Sequence, residues 1–218
     1  FFWTQFLGAA NDNLFKFALT VLVTYQLQLA WLPPSLAGLV IGALFILPFV
    51  LFSATAGQLA DKLDKALLMR FVKSLEIGIM ALAGWAFVQT DDQVRVVTLL
   101  ACVFAMGLHS TLFGPVKFAY LPQHLSEREL TGGNGMVQIG TFVAGGLLSG
   151  LPQVGPAAVA VACVALALLG RLTAHQVPAT PATDPGLRIN LNPLTETWRN
   201  LKLAPGHLVG FRSRLGSS

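Results

Sequence analysis

The stretch LAGLVIGALFILPFVLF, residues 36–52, is apolar apart from its glycines and its proline. A bilayer core of about 30 Å requires about 20 apolar residues in a helix. A membrane β-strand would instead show short segments in which apolar and polar residues alternate, and this stretch does not alternate. It therefore predicts a transmembrane helix in an all-α membrane protein. Gly38 and Gly42 have the four-residue spacing that is typical of close contacts between such helices.

The composition of the whole chain agrees with membrane insertion. The 218 residues are 54% hydrophobic and 11% charged, with a mean hydropathy of +0.66. Soluble domains are about 25% charged, so this class is excluded. The net charge of +4 is not arranged as a basic stripe with interleaved aromatic residues, and no nucleic-acid partner is predicted.

Six transmembrane helices are predicted, and together they form a bundle over residues 1–172. The predicted spans are 6–30, 36–60, 71–89, 94–116, 136–153 and 155–172. The basic residues that gather in or beside alternate connections are Lys62, Lys65, Arg70, Lys73, Lys117, Arg128 and Arg171. Because the opposite connections hold Arg95 alone, the positive-inside rule places both ends of the bundle in the cytoplasm.

The rest of the chain is predicted to lie on the cytoplasmic side. Residues 173–203 begin with repeated prolines, which prevent a helix and are typical of a linker. Leu194, Trp198 and Leu201 then recur at helical spacing, which predicts a short amphipathic helix on the membrane surface. Residues 204–218 form a short polar tail, which we expect to begin a truncated second half.

Ionisable residues inside predicted spans are hypotheses of function, because each is costly in a bilayer. Asp12 and Lys16 are four residues apart on the first span, so Asp12 is either a ligand for a headgroup or cation, or the partner of Lys16. Lys73 and Glu76 are three residues apart on the third span. They favour a local pair in which the Lys73 side chain reaches the membrane interface.

Three further positions are open to two interpretations each. His109 could couple transport to protons or form a neutral hydrogen bond to a neighbouring helix. Gln138 suits either an interhelical bond or a polar group of a substrate. Gly114 and Pro115 permit a kink, beyond which Lys117 could bind a phosphate or anchor its helix at the interface.

The sequence predicts a protein without enzymatic activity, metal or cofactor. Cys102 and Cys163 lie in apolar runs, where packing is a better explanation than a disulfide or a metal shell. There is no glycine-rich phosphate loop with its lysine and no nucleophile elbow. None of the four histidines has an Asp at the four-residue separation that an acyltransferase of the kind considered below would need.

The connection GQLADKLDK, residues 57–65, resembles the loop between the second and third helices of the major facilitator superfamily. Gly57, Asp61, Lys62 and Lys65 match that pattern, whereas Asp64 stands where the superfamily usually has Gly. The resemblance implies that Asp61 belongs to a cytoplasmic latch that holds the outward-facing state. The other matching residues, with Gly114 and Pro115, are then expected to take part in gating.

Two more stretches, TQFLGAANDNLF at 4–15 and FGPVKFAYLP at 113–122, resemble the lysophospholipid transporter family within that superfamily. The resemblance implies transport of lysophosphatidylethanolamine and lysophosphatidylglycerol to the inner leaflet of the bacterial inner membrane, for reacylation. It also implies that Asp12 and Asn13 face the headgroup and that Lys117 faces its phosphate. Gln138 stands where the family often has Glu.

The resemblance extends over the first half of a twelve-helix transporter, so a second six-helix half is expected as a partner. Membrane lipids are expected around the bundle, and a functional link to an acyltransferase or acyl-carrier ligase is implied, since similar chains are sometimes fused to such enzymes. Two alternatives stay open. One is a proton-coupled exporter of small solutes or drugs that uses Asp12, and the other is a purely structural membrane scaffold.

Overall fold

The structure, a computed structural model, describes residues 1–124 and 155–187 apart from 28 and 30, and the single residues 132, 135, 139 and 189. The helices of this part are α1 (Phe2–Val21), α2 (Pro34–Lys62), α3 (Lys65–Phe87), α4 (Asp92–His124) and α5 (Pro156–His175). A π-helical turn, Leu22–Gln26, continues α1. No β-strand occurs among the described residues, which confirms the all-α prediction.

Four of the six predicted spans coincide with helices that are long and apolar enough to cross a membrane. These are Phe2–Gln26, Pro34–Lys62, Asp92–Leu121 and Pro156–His175. Helix α3 occupies the third predicted span but is not among the four, and it carries Lys73 and Glu76. The span 136–153 lies outside the described residues apart from residue 139. The count of six helices and the cytoplasmic ends therefore remain predictions.

Helix α3 begins at a capped turn. Asp64 is its N-cap residue, and the Oδ1 atom of Asp64 accepts a hydrogen bond from the Leu67 amide at 2.9 Å. An aspartate is among the best residues for this position, because its carboxylate satisfies an amide at the helix start. Asp64, which stands where the superfamily usually has glycine, therefore supplies the N-cap of α3.

The core is formed mainly by apolar side chains of α1, α3, α4 and α5. Phe15 and Phe87 meet edge to face there, with ring centroids 6.0 Å apart. Cys102 and Cys163 are free thiols buried in the same core, which confirms their predicted role in packing.

Helices α2 and α4 pack closely together at Gly107. A Cβ atom on Gly107 would overlap the backbone carbonyl of Phe45 on α2, so only glycine fits there. Gly38 and Gly42 have no described atom within 4 Å of such a Cβ position. The close helix contact that this spacing allows is therefore not present among the described residues.

The segment that follows α5 lies against the turn between α2 and α3. We name residues 177–184 the strap. Val177 and Thr180 of the strap are each 1% exposed, and the Thr180 amide donates to Oδ2 of Asp64 at 2.9 Å. The predicted amphipathic helix at 194–201 and the tail at 204–218 lie outside the described residues.

Candidate functional site

A cavity of about 350 Å³ lies between the helices of the N-terminal part of the chain. The charged or titratable side chains on its wall are Asp12, Lys16, Lys73, His109 and Lys117. Aromatic rings from α2 and α4 line the rest of the wall, among them Phe45 and Phe113. A partly open cavity of this size with a few convergent polar groups is typical of a ligand site.

Asp12 lies on this wall with one carboxylate oxygen unused. The Ser110 hydroxyl on α4 donates to Asp12 Oδ2 at 2.7 Å, whereas Asp12 Oδ1 is buried and has no hydrogen-bond partner among the described residues. The predicted ion pair with Lys16 is absent there. The Lys16 ammonium lies instead 3.8 Å from the centroid of the Phe45 ring. Asp12 can therefore accept a hydrogen bond from a ligand that carries an ammonium or a hydroxyl group.

Lys117 brings a positive charge to the same cavity from α4. Its side chain is half-buried, and its ammonium lies 5.0 Å from the centroid of the Phe118 ring. No hydrogen bond or ion pair from this ammonium to another described side chain is present. Helix α4 continues beyond Gly114 and Pro115 as far as His124, so Lys117 belongs to the helix body. The ammonium is available to an anion in the cavity.

The other two predicted headgroup residues differ in what the structure describes. Asn13 lines the cavity, and its Nδ2 atom donates to the Ala9 carbonyl of its own helix at 2.8 Å. Its amide nitrogen is therefore used locally, and the side-chain oxygen is the atom left for a ligand. Gln138 lies outside the described residues.

A cluster of four buried polar residues adjoins the cavity, and Lys73 and His109 of this cluster line the cavity wall. We name it the buried quartet: Asn11, Lys73, Glu76 and His109. Their exposed fractions are 0%, 1%, 0% and 3%. Glu76 Oε2 lies 2.6 Å from the Lys73 ammonium and 3.3 Å from His109 Nε2. The Asn11 amide donates to Glu76 Oε1 at 2.7 Å.

The buried quartet confirms one prediction and corrects another. The local pair of Lys73 and Glu76 is present, but the Lys73 side chain is buried and does not reach out as predicted. His109 was predicted to couple protons or to bond a neighbouring helix, but its position beside Glu76 was not predicted, and neither was the part played by Asn11. Both are polar residues in apolar helices, which was the available signal, but sequence spacing cannot show that separate helices bring them to one carboxylate.

Two glycines make room for Lys73. A Cβ atom on Gly8 of α1 would lie 2.5 Å from the Lys73 ammonium, and one on Gly170 of α5 would lie 3.4 Å from it. A larger residue at Gly8 would therefore force the Lys73 ammonium to shift. The two neighbouring helices thus permit a lysine to lie inside the bundle.

The predicted gating residues occupy different surroundings. The carboxylate of Asp61 is on an exposed residue, and its backbone carbonyl accepts a hydrogen bond from the Asp184 amide at 2.9 Å. Lys65 is fully buried under the strap, and its ammonium donates to the Thr183 hydroxyl at 2.9 Å. Lys62 is partly exposed, and nothing described lies within 4 Å of a Cβ built on Gly57.

Comparison with curated proteins gives one consistent relationship. The chain is 27% identical, over 216 residues, to the protein named "Lysophospholipid transporter LplT" in Escherichia coli strain SE11. The same identity is found for the proteins of that name in Escherichia coli strain K12 / DH10B and in Shigella boydii serotype 18 strain CDC 3083-94 / BS512. The match covers 90% of this chain and 49% of each relative.

This chain is similar to proteins named as lysophospholipid transporters. It spans about half the length of the curated relatives it matches, which is consistent with an N-terminal half. No protein-family model and no solved structure matches it. The four apolar helices are those of a multi-pass membrane protein, and the relatives that the chain matches are named as transporters and not as enzymes.

Proposed function

We propose that the chain is the N-terminal six-helix bundle of a lysophospholipid transporter of the major facilitator superfamily, in the bacterial inner membrane. The transporter moves lysophosphatidylethanolamine and lysophosphatidylglycerol to the inner leaflet. The observation that carries the proposal is a cavity lined by both Asp12 and Lys117. Among the described residues, Oδ1 of Asp12 has no hydrogen-bond partner and the Lys117 ammonium has no hydrogen bond or ion pair. The curated relatives support the same substrate class.

The two charges suit the two ends of a headgroup. The Asp12 carboxylate accepts hydrogen bonds from the ammonium of an ethanolamine or the hydroxyls of a glycerol, and the Asn13 side-chain oxygen adds a second acceptor. The Lys117 ammonium holds the phosphate, which is the group common to both headgroups. Hydrogen bonds between charged partners are about twice as strong as neutral ones, so this pair selects for charge. Gln138 is the further headgroup contact expected from the resemblance.

The acyl chain has an apolar path beside this wall. A second opening of about 330 Å³ between α1 and α2 shares Asn13 and Lys16 with the headgroup cavity. Phe17, Ile41 and Gly42 line that opening. A single acyl chain lies in this path and continues into lipid, while the headgroup stays among the polar side chains.

Gating involves the turn between α2 and α3. The exposed Asp61 carboxylate is the latch group and contacts the second half of the transporter, with Lys62 beside it and Gly57 allowing a close approach. Lys65 acts in the same turn by holding the strap. Gly114 and Pro115 let α4 bend next to Lys117 as the cavity changes its access.

The partners of the chain follow from the same account. The second six-helix half covers the open side of the cavity, because alternating access needs two bundles that rock about a central site. The transported lysophospholipid is reacylated in the inner leaflet by an acyltransferase or acyl-carrier ligase. The bundle itself needs no cofactor.

Uptake of labelled lysophosphatidylethanolamine by spheroplasts tests the proposal. The spheroplasts express the intact polypeptide that contains this sequence, either unchanged or as Asp12→Asn, Lys117→Ala or the control Asp92→Asn, whose carboxylate lies on the surface. We expect uptake in the parent and the control, and at least a tenfold loss in both cavity variants. Normal insertion of the parent without lipid uptake contradicts the proposal. Transport of a soluble drug that requires a proton gradient would favour the exporter instead.

A further inference from the structure

The buried quartet joins three helices at one carboxylate. Glu76 on α3 is contacted by Asn11 from α1, by Lys73 from its own helix and by His109 from α4. A buried charge is stable only when it is paired and hydrogen-bonded, and Glu76 meets this condition. His109 differs, because both of its ring nitrogens are buried and neither has a hydrogen-bond partner among the described residues, although Nε2 lies 3.3 Å from Oε2 of Glu76.

We propose that the buried quartet is a proton-binding site, in which His109 takes up the proton and Glu76 stabilises it. We further propose that this proton changes which headgroup charge the cavity prefers. The first part stands on the geometry of the quartet alone. The second part rests on the proposed transport of lysophospholipids.

A proton on His109 changes the net charge of the buried quartet. With neutral His109, the charges of Lys73 and Glu76 cancel and the quartet is neutral. With protonated His109, the quartet carries one net positive charge. Histidine is the side chain that ordinarily gains a proton between about pH 5 and 8. The Glu76 oxygen at 3.3 Å gives the resulting imidazolium an anionic partner.

A proton can reach His109 from the cavity. His109 and Lys73 both line the cavity wall, although each is almost fully covered. Among the described residues, the other titratable groups around this wall and the quartet are Asp12 and Lys16 from α1, Lys117 from α4 and Cys163 from α5. Helix α2 contributes the uncharged rings of Phe45 and Phe49.

The added charge acts on the headgroup site electrostatically, because His109 and Asp12 line the same cavity. Ser110 follows His109 on α4, and its hydroxyl holds Asp12 at 2.7 Å. A positive charge beside Asp12 weakens the hold on an ammonium and strengthens the hold on a phosphate. Acidic pH therefore favours lysophosphatidylglycerol, which has no ammonium, over lysophosphatidylethanolamine. One unit charge about 10 Å away in a medium of intermediate dielectric changes this preference by about tenfold.

The experiment has two arms on the purified intact polypeptide that contains this sequence. The first arm follows the histidine side chains by NMR between pH 5 and 8, in the parent, His109→Gln, Glu76→Gln and the control His175→Gln, whose side chain is exposed. The second arm measures the affinities for the two lysophospholipids at pH 5.5 and pH 8. His109→Asn replaces His109→Gln if the glutamine variant does not fold.

The expected results differ between the arms. In the first arm, the His109 signal is identified as the one that is absent from the spectrum of His109→Gln. This signal changes between pH 5 and 8 in the parent, and the same change requires a more acidic buffer in Glu76→Gln. In the second arm, the affinity ratio of the glycerol to the ethanolamine lipid rises about tenfold on acidification in the parent and in His175→Gln. The ratio is independent of pH in the His109 variant.

The contrary results separate the two proposals. A His109 signal that does not change between pH 5 and 8, or that titrates identically in Glu76→Gln, overturns the proton site. An affinity ratio that is independent of pH in the parent overturns its effect on the headgroup. Failure of both lipids to bind at either pH contradicts the proposed transport function, and the first arm still decides the proton site.

Discussion

The two carboxylates inside the bundle, Glu76 and Asp12, have different numbers of polar partners. Glu76 is covered and accepts contacts from three partners, so its charge is satisfied by the protein. Asp12 receives one hydrogen bond from Ser110 and keeps its Oδ1 atom without a described partner. A carboxylate that the protein leaves half satisfied beside a cavity is the better candidate for contact with a substrate.

The buried pair makes a prediction about stability. Glu76→Ala leaves the Lys73 ammonium buried without its partner, and such a loss costs about 3–5 kcal/mol. The double variant Lys73→Met with Glu76→Leu removes both charges together and should lose much less. Thermal unfolding in detergent measures the difference. A double variant as unstable as the single one would contradict this account of the pair.

Gly8 makes a second prediction at the same scale. In Gly8→Ala the new methyl group meets the Lys73 ammonium, and crowding of this kind costs about 1–3 kcal/mol. Gly57→Ala is the matched control, because it lies within α2 with no described atom near the added methyl group. It should be neutral or stabilising, since alanine favours a helix. Equal unfolding temperatures for the two variants would refute the assigned role of Gly8.

Among whole elements, the strap is the feature that joins the end of the bundle to the predicted gating turn. Lys65 begins α3, is fully buried, and holds the strap through Thr183 and the Pro181 carbonyl. The backbone amide of Lys65 also donates to the Thr180 carbonyl at 3.0 Å. The turn and the strap are therefore one hydrogen-bonded unit, and a movement of either is passed to the other.

Loss of the Lys65 ammonium should loosen this unit. In Lys65→Met the strap loses two hydrogen bonds, so backbone amides in residues 177–184 should exchange at least tenfold faster with deuterium. Lys62→Met, in the same turn but with no described bond to the strap, is the control. Hydrogen exchange measured by mass spectrometry reports both variants. Unchanged exchange in Lys65→Met would show that the strap is held by other contacts.

The helices could be predicted from the sequence, and their contacts could not. Long apolar runs such as residues 36–52 identify a helix directly, because only a helix satisfies its own backbone in lipid. Helix contacts depend on which faces meet: Gly107 gives the close approach, although Gly38 and Gly42 had the expected spacing. The repeated prolines of the strap correctly exclude a helix but give no sign of the hydrogen bonds it makes.

The residues of the candidate site could be predicted in part from the sequence, but their arrangement could not. Asp12 and Lys117 could be selected one by one, since each is a costly charge in an apolar segment. Their common cavity depends on how α1 packs beside α4. The partners of Glu76 come from three helices, and no spacing within one helix could have predicted Asn11 or His109 among them.

At the scale of the whole molecule, the orientation in the membrane remains a prediction that chemical labelling can check. Cys102 and Cys163 are buried, so a cysteine added at the surface gives the dominant signal. The positive-inside rule expects Asp92→Cys to react with a membrane-impermeant maleimide in intact spheroplasts, and Asp61→Cys to react only after the membrane is opened. The reverse pattern would contradict the assignment of both ends to the cytoplasm.

The central claim is that Asp12 and Lys117 bind opposite ends of one headgroup. Measuring the binding of two lysophospholipids to the intact polypeptide tests this claim most directly. Asp12→Asn should weaken the binding of lysophosphatidylethanolamine at least tenfold more than the binding of lysophosphatidylglycerol, because only the first lipid carries an ammonium. Lys117→Ala should weaken the binding of both lipids by about tenfold, because both carry the phosphate. Equal effects of Asp12→Asn on the two lipids, or no effect of Lys117→Ala on either, would contradict the account.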